Sequence, residues 1–201
     1  MLDPMMRRLI DEPLSMAAGQ LVRAGISANS VTWFGFGLGL VAMVALSQQA
    51  YLVALAFILL NRLGDGLDGA IARQNRPSDY GAFLDILLDL MIYSGLVFAF
   101  AYGRPEDALW AAFLIATFIG TGGSFLAFAV LAAKRGIETS TRGKKSFYHA
   151  AGLAEGTETI LFCCAMCVAP NFFPLLAGIF GAMCLVTTVG RVLVAREVFK
   201  D

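Results

Sequence analysis

Charge is scarce in this chain. Only 15% of its 201 residues are charged, against 58% hydrophobic, which leaves no room for a large soluble domain. Apolar runs of about 20 residues recur instead, each long enough to cross ~30 Å of hydrocarbon. Residues 1 to 23 are charged and amphipathic, with no apolar core ahead of a small-residue cleavage site; no cleavable signal is expected. No repeat or low-complexity segment is visible. The formal net charge is zero, but it carries no information because the charges are segregated by side. No nucleic-acid partner is expected.

Reactive side chains are equally sparse. The single histidine, His149, would sit at a membrane interface, where it reads as incidental more readily than as a second base. The four cysteines, Cys163, Cys164, Cys167 and Cys184, all fall in apolar runs. Cys163 and Cys167 share a helix face, yet free cysteine usually behaves as a small buried hydrophobe. The G-x-G-x-G of Gly35, Gly37 and Gly39 has no strand before it, which argues against a dinucleotide fingerprint. Gly35 and Gly39, four apart, read as a site of close helix packing.

Against this background one stretch stands out. Residues 61 to 89 read NRLGDGLDGAIARQNRPSDYGAFLDILLD and carry Asp65, Asp68, Asp85 and Asp89 in segments otherwise apolar enough to enter a membrane. A carboxylate placed there is costly and marks a functional site by default. Asp65 and Asp68 are three apart, Asp85 and Asp89 four apart, and on a helix both spacings put the pair on one face. Two helices facing each other in this way offer an oxygen cage for hard divalent cations. Without cations the acids would repel and some would take up protons; two Mg²⁺ would cancel their formal charge. Gly64, Gly66 and Gly69 would let a bulky ligand approach the backbone. Arg73, four residues beyond Gly69, offers a fork suited to phosphate. Together these features suggest a nucleotide diphosphate at a metal site.

The expected fold is an all-α integral membrane protein, a single domain over residues 1–201. Residues 1–27 form an amphipathic interfacial helix, broken near Pro13. Residues 28–201 form a bundle of six transmembrane helices, at roughly 31–47, 51–73, 81–102, 108–133, 150–168 and 172–195. Ser27, Asn29 or Ser30 caps the first span. The glycines Gly120, Gly122 and Gly123 mark a kink or a close crossing in the fourth. With both termini in the cytoplasm, every Lys and Arg except Arg104 lies on the cytoplasmic side or in the inner half of a span, as the positive-inside rule demands. The acidic cage then opens to the cytoplasm, about 10 Å below the interface by helix rise. A cell's inner membrane is the expected location.

The spacing D-x-x-D-G-x-x-A-R followed by G-x-x-x-D-x-x-x-D resembles the signature of the CDP-alcohol phosphatidyltransferases. It is carried by Asp65, Asp68, Gly69, Ala72, Arg73, Gly81, Asp85 and Asp89. The link from Arg73 to Gly81 is one residue shorter than the family's usual pattern. The resemblance implies that Asp65, Asp68 and Asp85 are ligands to two Mg²⁺ or Mn²⁺ ions. Asp89 would complete the metal site and act as general base on the acceptor hydroxyl. Gly69, Ala72, Arg73 and Ser78 would hold the nucleotide. Asn29 and Thr32 would join them, by likeness to the family's P-N-x-x-T, in which Ala28 here replaces the proline. The implied reaction moves a phosphatidyl group from CDP-diacylglycerol to a small or lipid alcohol, releases CMP, and belongs to phospholipid biosynthesis. A homodimer surrounded by membrane lipids is implied as well.

The acceptor side is less defined. Lys134, Arg135, Arg142, Lys144 and Lys145 form a basic loop, which either obeys the positive-inside rule or binds an anionic headgroup or phosphorylated acceptor. Glu155 and Glu158 either hydrogen-bond a polyol or amine acceptor or pair with Arg191 or Lys145. Arg142, Lys144, Lys145, Glu155, Glu158 and Arg191 are therefore the candidate acceptor pocket, with a lean towards a phosphorylated acceptor. Alternatives are a CDP-aminoalcohol phosphotransferase, a membrane aromatic prenyltransferase, a cation-coupled transporter, or an inactive family member. A prenyltransferase has no counterpart of Gly69, Ala72 and Arg73. A transporter usually holds its ion site at the midplane between repeats. Intact metal positions argue against lost activity.

Overall fold

A computed structural model describes residues 3–75, 77–137 and 152–200. Every regular element among them is helical. They are α1 (Asp3–Arg23), α2 (Ala28–Ser47), α3 (Tyr51–Gln74), α4 (Asp79–Gly103), α5 (Ala108–Lys134), α6 (Gly156–Val168) and α7 (Phe173–Val198). Single 3₁₀ turns at Pro105–Asp107 and Pro170–Phe172 lead into α5 and α7. Proline is tolerated in a first turn, where its missing N–H would have no partner anyway.

Local chemistry sets the helix starts. Ser27 caps α2, accepting the backbone N–H of Ser30 at 3.1 Å. Ser78 caps α4 in the same way, accepting the N–H of Gly81 at 3.0 Å. At Pro13 the outcome differs from expectation: α1 runs through it unbroken. The proline removes one backbone hydrogen bond, but α1 packs along α3, and Ala18 is buried there with Ala70 and Ile71. That contact anchors the half of α1 beyond Pro13 along α3.

α2 is the post on which the acidic helices lean. It packs against both α3 and α4. A Cβ on Gly64 of α3 would sit 3.3 Å from the Cα of Gly35, so those two backbones meet directly. A Cβ on Gly39, one turn further along α2, would overlap the side chain of Ile92 on α4. The close packing expected of Gly35 and Gly39 is thus present, with one glycine serving each neighbour. In α5 the glycines serve a crossing and the helix is unbroken: a Cβ on Gly120 would meet Thr188 of α7 at 3.1 Å, and one on Gly122 would meet Leu90 of α4 at 3.1 Å.

The main core is shared by α2, α3, α4, α5, α6 and α7. Phe100 stacks on Phe173 with centroids 4.2 Å apart, and Phe162 on Phe180 at 5.0 Å. Leu46, Leu96, Leu114 and Met166 fill the space around them and are fully buried. Phe34, Leu52, Leu109, Ile119 and Val130 point outward instead, the side-chain distribution lipid favours and water does not. Four helical segments are long and apolar enough to cross a membrane: Ala28–Ser47, Asp79–Gly103, Pro105–Lys134 and Pro170–Val198. The chain is an integral membrane protein. Of the six expected spans, α3 has the length, since 24 residues at 1.5 Å each reach about 36 Å, but Arg62, Asp65, Asp68 and Arg73 make it too polar to qualify by composition. The described part of the fifth, α6, has 13 residues.

Candidate active site

Three of the four acids come together across the two helices. α3 carries Asp65 and Asp68 in its second half, and α4 carries Asp85 and Asp89 in its first. One carboxylate oxygen from each of Asp65, Asp68 and Asp85 lies within 4.8 Å of the others. Like charges at this distance oppose one another unless a cation lies between them. An all-oxygen donor set suits a hard divalent ion such as Mg²⁺ or Mn²⁺, so these residues fit the metal that the sequence implies.

Asp89 borders the same space but does not join that group. Its Oδ1 accepts a hydrogen bond from Nη2 of Arg62 at 2.6 Å, and its Oδ2 accepts one from the Tyr93 hydroxyl at 3.2 Å. Arg62 also donates through Nη1 to the Tyr93 hydroxyl at 2.8 Å, and through Nε and Nη2 to Oδ1 of Asn61 at 3.0 and 2.9 Å. Its guanidinium lies 5.2 Å from the Tyr93 ring centre and 3.6 Å from Oδ2 of Asp65. Asn61 is fixed in turn by donating to the carbonyl of Gly35 at 2.8 Å. In the sequence, neither Asn61 and Arg62 nor Tyr93 is singled out as a site residue. The available signal is Arg62 itself: a guanidinium within an apolar run needs an anionic partner.

A cavity of about 350 Å³ opens beside the acids between α2, α3 and the start of α4. Asn29, Thr32, Gly69, Ala72 and Ser78, all expected at the nucleotide, line it, with Asp68 and Asp85 at its edge. Gly81 is needed bare here, because a Cβ would come within 3.0 Å of Oδ1 of Asn29 and 3.1 Å of Oγ of Ser78. Thr32 has a further role, donating its hydroxyl to Oδ2 of Asp68 at 2.6 Å. Arg73 is absent from this lining. It borders the neighbouring cavity of about 420 Å³, which contains the acids, and lies 3.8 Å from Asp11 of α1. Of the three glycines expected to open the backbone, Gly69 lines both cavities and Gly66 the acidic one. Gly64 is consumed by the contact with α2, and a Cβ on Gly66 would meet Leu14 of α1 at 2.9 Å.

A third cavity, of about 330 Å³, lies on the far side of Asp89 between α4, α5, α6 and α7. Glu155 and Arg191 line it, with Ser94, Thr121 and Thr159 as further polar groups. Arg191 donates Nη1 to the carbonyl of Thr121 at 2.7 Å and lies 5.5 Å from the Phe125 ring centre. Its buried Nε has no hydrogen-bond partner among the described residues. Glu158 does not border this cavity. Arg142, Lys144, Lys145 and His149 lie outside the described residues. Asp68, Gly69 and Asp85 are shared by the first cavity and the acidic one, and Asp89 and Tyr93 by the acidic one and the third. The three spaces therefore run in sequence past the carboxylates.

Comparisons with known proteins agree with this geometry. The profile of the CDP-alcohol phosphatidyltransferases matches residues 26–190. The chain is 47% identical over 193 residues to the Inner membrane protein YnjF of Escherichia coli, covering 96% of this chain and 94% of that one. It is 31% identical over 98 residues to an archaetidylinositol phosphate synthase of Pyrococcus horikoshii, covering 48% of this chain and 52% of that one. In fold it resembles the crystal structure of Mycobacterium tuberculosis phosphatidylinositol phosphate synthase with CDP-DAG bound, with a TM-score of 0.66, 17% identity, and coverage of 91% and 93%. Acids from two helices, spaced as the signature demands and brought to one cleft in a membrane bundle, belong with these matches: the chain is a member of the CDP-alcohol phosphatidyltransferase family, and an enzyme of that class.

Proposed function

We propose that the protein transfers the phosphatidyl group of CDP-diacylglycerol to the hydroxyl of a small phosphorylated acceptor, releasing CMP. The observation that carries this reading is the succession of three cavities past the acidic group, with the nucleotide-side residues at one end and Arg191 at the other. Asn29, Thr32, Gly69, Ala72 and Ser78 enclose the cytidine end. Arg73, at the mouth of the acidic cavity, faces the diphosphate. Asp65, Asp68 and Asp85 would hold a divalent ion, with Asp89 beside them. Bound there, Mg²⁺ or Mn²⁺ would neutralise charge on the diphosphate and the leaving CMP.

The acceptor occupies the third cavity. Arg191, with an unused buried donor, supplies the charge that a phosphorylated acceptor needs, and Glu155 accepts hydrogen bonds from its hydroxyls. Asp89 sits where the acidic and acceptor cavities adjoin. It takes the proton of the attacking hydroxyl while the acceptor oxygen bonds to the lipid-linked phosphorus and the bond from that phosphorus to the CMP oxygen breaks. Positioning and electrostatics supply most of the acceleration in such transfers. The half-polar α3 and α6 complete a six-span bundle in the inner membrane, with the cleft and both termini on the cytoplasmic side, where a water-borne acceptor and a lipid donor meet. The working form is a homodimer.

The test is CMP release from CDP-diacylglycerol by purified protein, with a panel of phosphorylated and unphosphorylated alcohols, before and after EDTA. Release with a phosphorylated acceptor, lost with EDTA, restored by Mg²⁺ or Mn²⁺ and absent in Asp89→Asn, is the expected result. Release only from CDP-aminoalcohol donors would overturn the donor, and release with unphosphorylated alcohols alone would overturn the acceptor.

A further inference from the structure

Glu155 and Arg191 both line the third cavity, but the chain holds them there differently. α7 carries Arg191 directly. Glu155 ends the non-helical stretch 152–155 that leads into α6, so no helix of its own fixes it. Thr187, one turn before Arg191 on α7, supplies the missing hold. Its Oγ1 accepts the backbone N–H of Leu153 at 2.9 Å and that of Ala154 at 3.0 Å. Its own hydroxyl proton goes to the carbonyl of Met183 at 2.9 Å. A threonine within a helix ordinarily makes only that last bond; here the donor and both lone pairs are in use. Thr187 is fully buried and Ala154 nearly so, so water does not stand in for these bonds. On the other side, the carbonyl of Glu155 accepts the N–H and the hydroxyl of Thr159 at 3.0 and 2.8 Å. The side chain is guided too: a Cβ on Gly152 would lie 3.0 Å from Oε1 of Glu155 and 3.3 Å from its Cγ. The Glu155 side chain therefore lies against a bare backbone.

We propose that Thr187 is a positioning residue for the acceptor, gripping the backbone of residues 153–154 so that Glu155 is held in one cavity at a set spacing from Arg191. The inference rests on the transferase reading and deepens it at the acceptor end. One helix then sets both polar ends of the acceptor site. The guanidinium that meets a phosphate is carried on α7, and the carboxylate that meets hydroxyls is tied to α7 through Thr187. The spacing between the two selects among alcohols by how far their hydroxyls lie from their phosphate. A threonine that served stability alone would leave the acceptor constant untouched in protein that folds.

Two readouts on the full-length protein in detergent test this. The first is amide hydrogen exchange by mass spectrometry and needs no turnover. Thr187→Val keeps the shape and removes the oxygen, so peptides spanning residues 153–154 exchange about tenfold faster or more, and Thr187→Ser keeps their protection. Unchanged exchange in Thr187→Val would overturn the proposal. The second readout is CMP release, with the alcohol from the acceptor panel that turns over fastest as the probe. Thr187→Val raises KM for that alcohol by about tenfold, the worth of one charge-assisted hydrogen bond. It leaves KM for CDP-diacylglycerol within about threefold, and Thr187→Ser restores the acceptor constant. Gly152→Ala leaves the Thr187 bonds in place and crowds Glu155; it raises the acceptor KM in the same way and serves if Thr187→Val does not fold. In a Glu155→Gln background either change adds less than about twofold, because both act through that carboxylate. A folded Thr187→Val protein with an unchanged acceptor KM, equal losses for acceptor and CDP-diacylglycerol, or full additivity with Glu155→Gln would each sink the idea while leaving the transferase reading intact. Wild-type protein that releases no CMP with any acceptor would refute the transferase reading and this role with it.

Discussion

Thr32→Val isolates one hydrogen bond on the metal-binding group. Valine matches threonine in shape and keeps the α2 packing, but the donor 2.6 Å from Oδ2 of Asp68 is lost. Asp68 is only 6% exposed, so water cannot freely replace that donor. A hydrogen bond to a charged group contributes about 1.5–3 kcal/mol, or roughly tenfold to a hundredfold in an equilibrium constant. Groups that orient a metal-binding carboxylate typically change ion affinity over the same range. The expected result is therefore a Mn²⁺ dissociation constant raised by about tenfold to a hundredfold, read by titration with electron paramagnetic resonance on protein in detergent. Thr32→Ser, which restores the hydroxyl, should bind within a few-fold of wild type. The weaker bond from the Thr32 hydroxyl to the carbonyl of Ala28, at 3.1 Å, is an ordinary helix contact, and its loss does not reach the ion. Unchanged Mn²⁺ affinity in a folded Thr32→Val protein, with binding of a cytidine nucleotide weakened instead, would refute the reasoning and leave Thr32 as a nucleotide contact alone.

Other substitutions probe the frame and the acceptor end. Gly64→Leu forces a side chain into the space where the Gly35 and Gly64 backbones meet; it should lower the midpoint of thermal unfolding in detergent, whereas Gly37→Leu, whose Cβ would meet nothing within 4 Å, should not. Phe173→Ala removes a fully buried ring stacked on Phe100 and should cost about 3–5 kcal/mol, measured by denaturant unfolding in mixed micelles. Arg191→Gln should raise KM for a phosphorylated acceptor by at least about tenfold, a loss of roughly 1.4 kcal/mol of charge-assisted binding, with KM for CDP-diacylglycerol little changed in steady-state assays of CMP release.

Much of this is legible in the chain. Long apolar runs place α2, α4, α5 and α7 to within a few residues, because lipid imposes both length and composition on a spanning helix. The acids are legible because carboxylates are so rarely placed in such runs, and their three- and four-residue spacings survive directly as helix faces. What escapes depends on partners far apart in sequence. Arg62 precedes Asp65 by one turn, and spacing alone would pair those two, yet its 2.6 Å contact is with Asp89 on the next helix. Thr32 is expected at the nucleotide because a motif does not reveal that its hydroxyl reaches an acid 36 residues away. Gly64 looks like an opening for ligand, since sequence cannot distinguish a bare backbone facing a cavity from one facing another helix. At Pro13 the helix continues where proline was expected to break it, and the residues just beyond it pack on α3.

α2 contributes no charged residue to the cleft, yet it sets the width of the cage. α3 rests on it at Gly35 and α4 at Gly39, successive turns of one helix turned toward different neighbours. The distance between the acids of α3 and those of α4 therefore depends on two contacts with α2: at Gly35 backbone meets backbone, and at Gly39 the missing side chain leaves room for Ile92. Any larger residue at either position adds to the gap between carboxylates that it never touches. The affinity of the cage for a cation is in this sense encoded a full helix away, in two residues with no side chain at all.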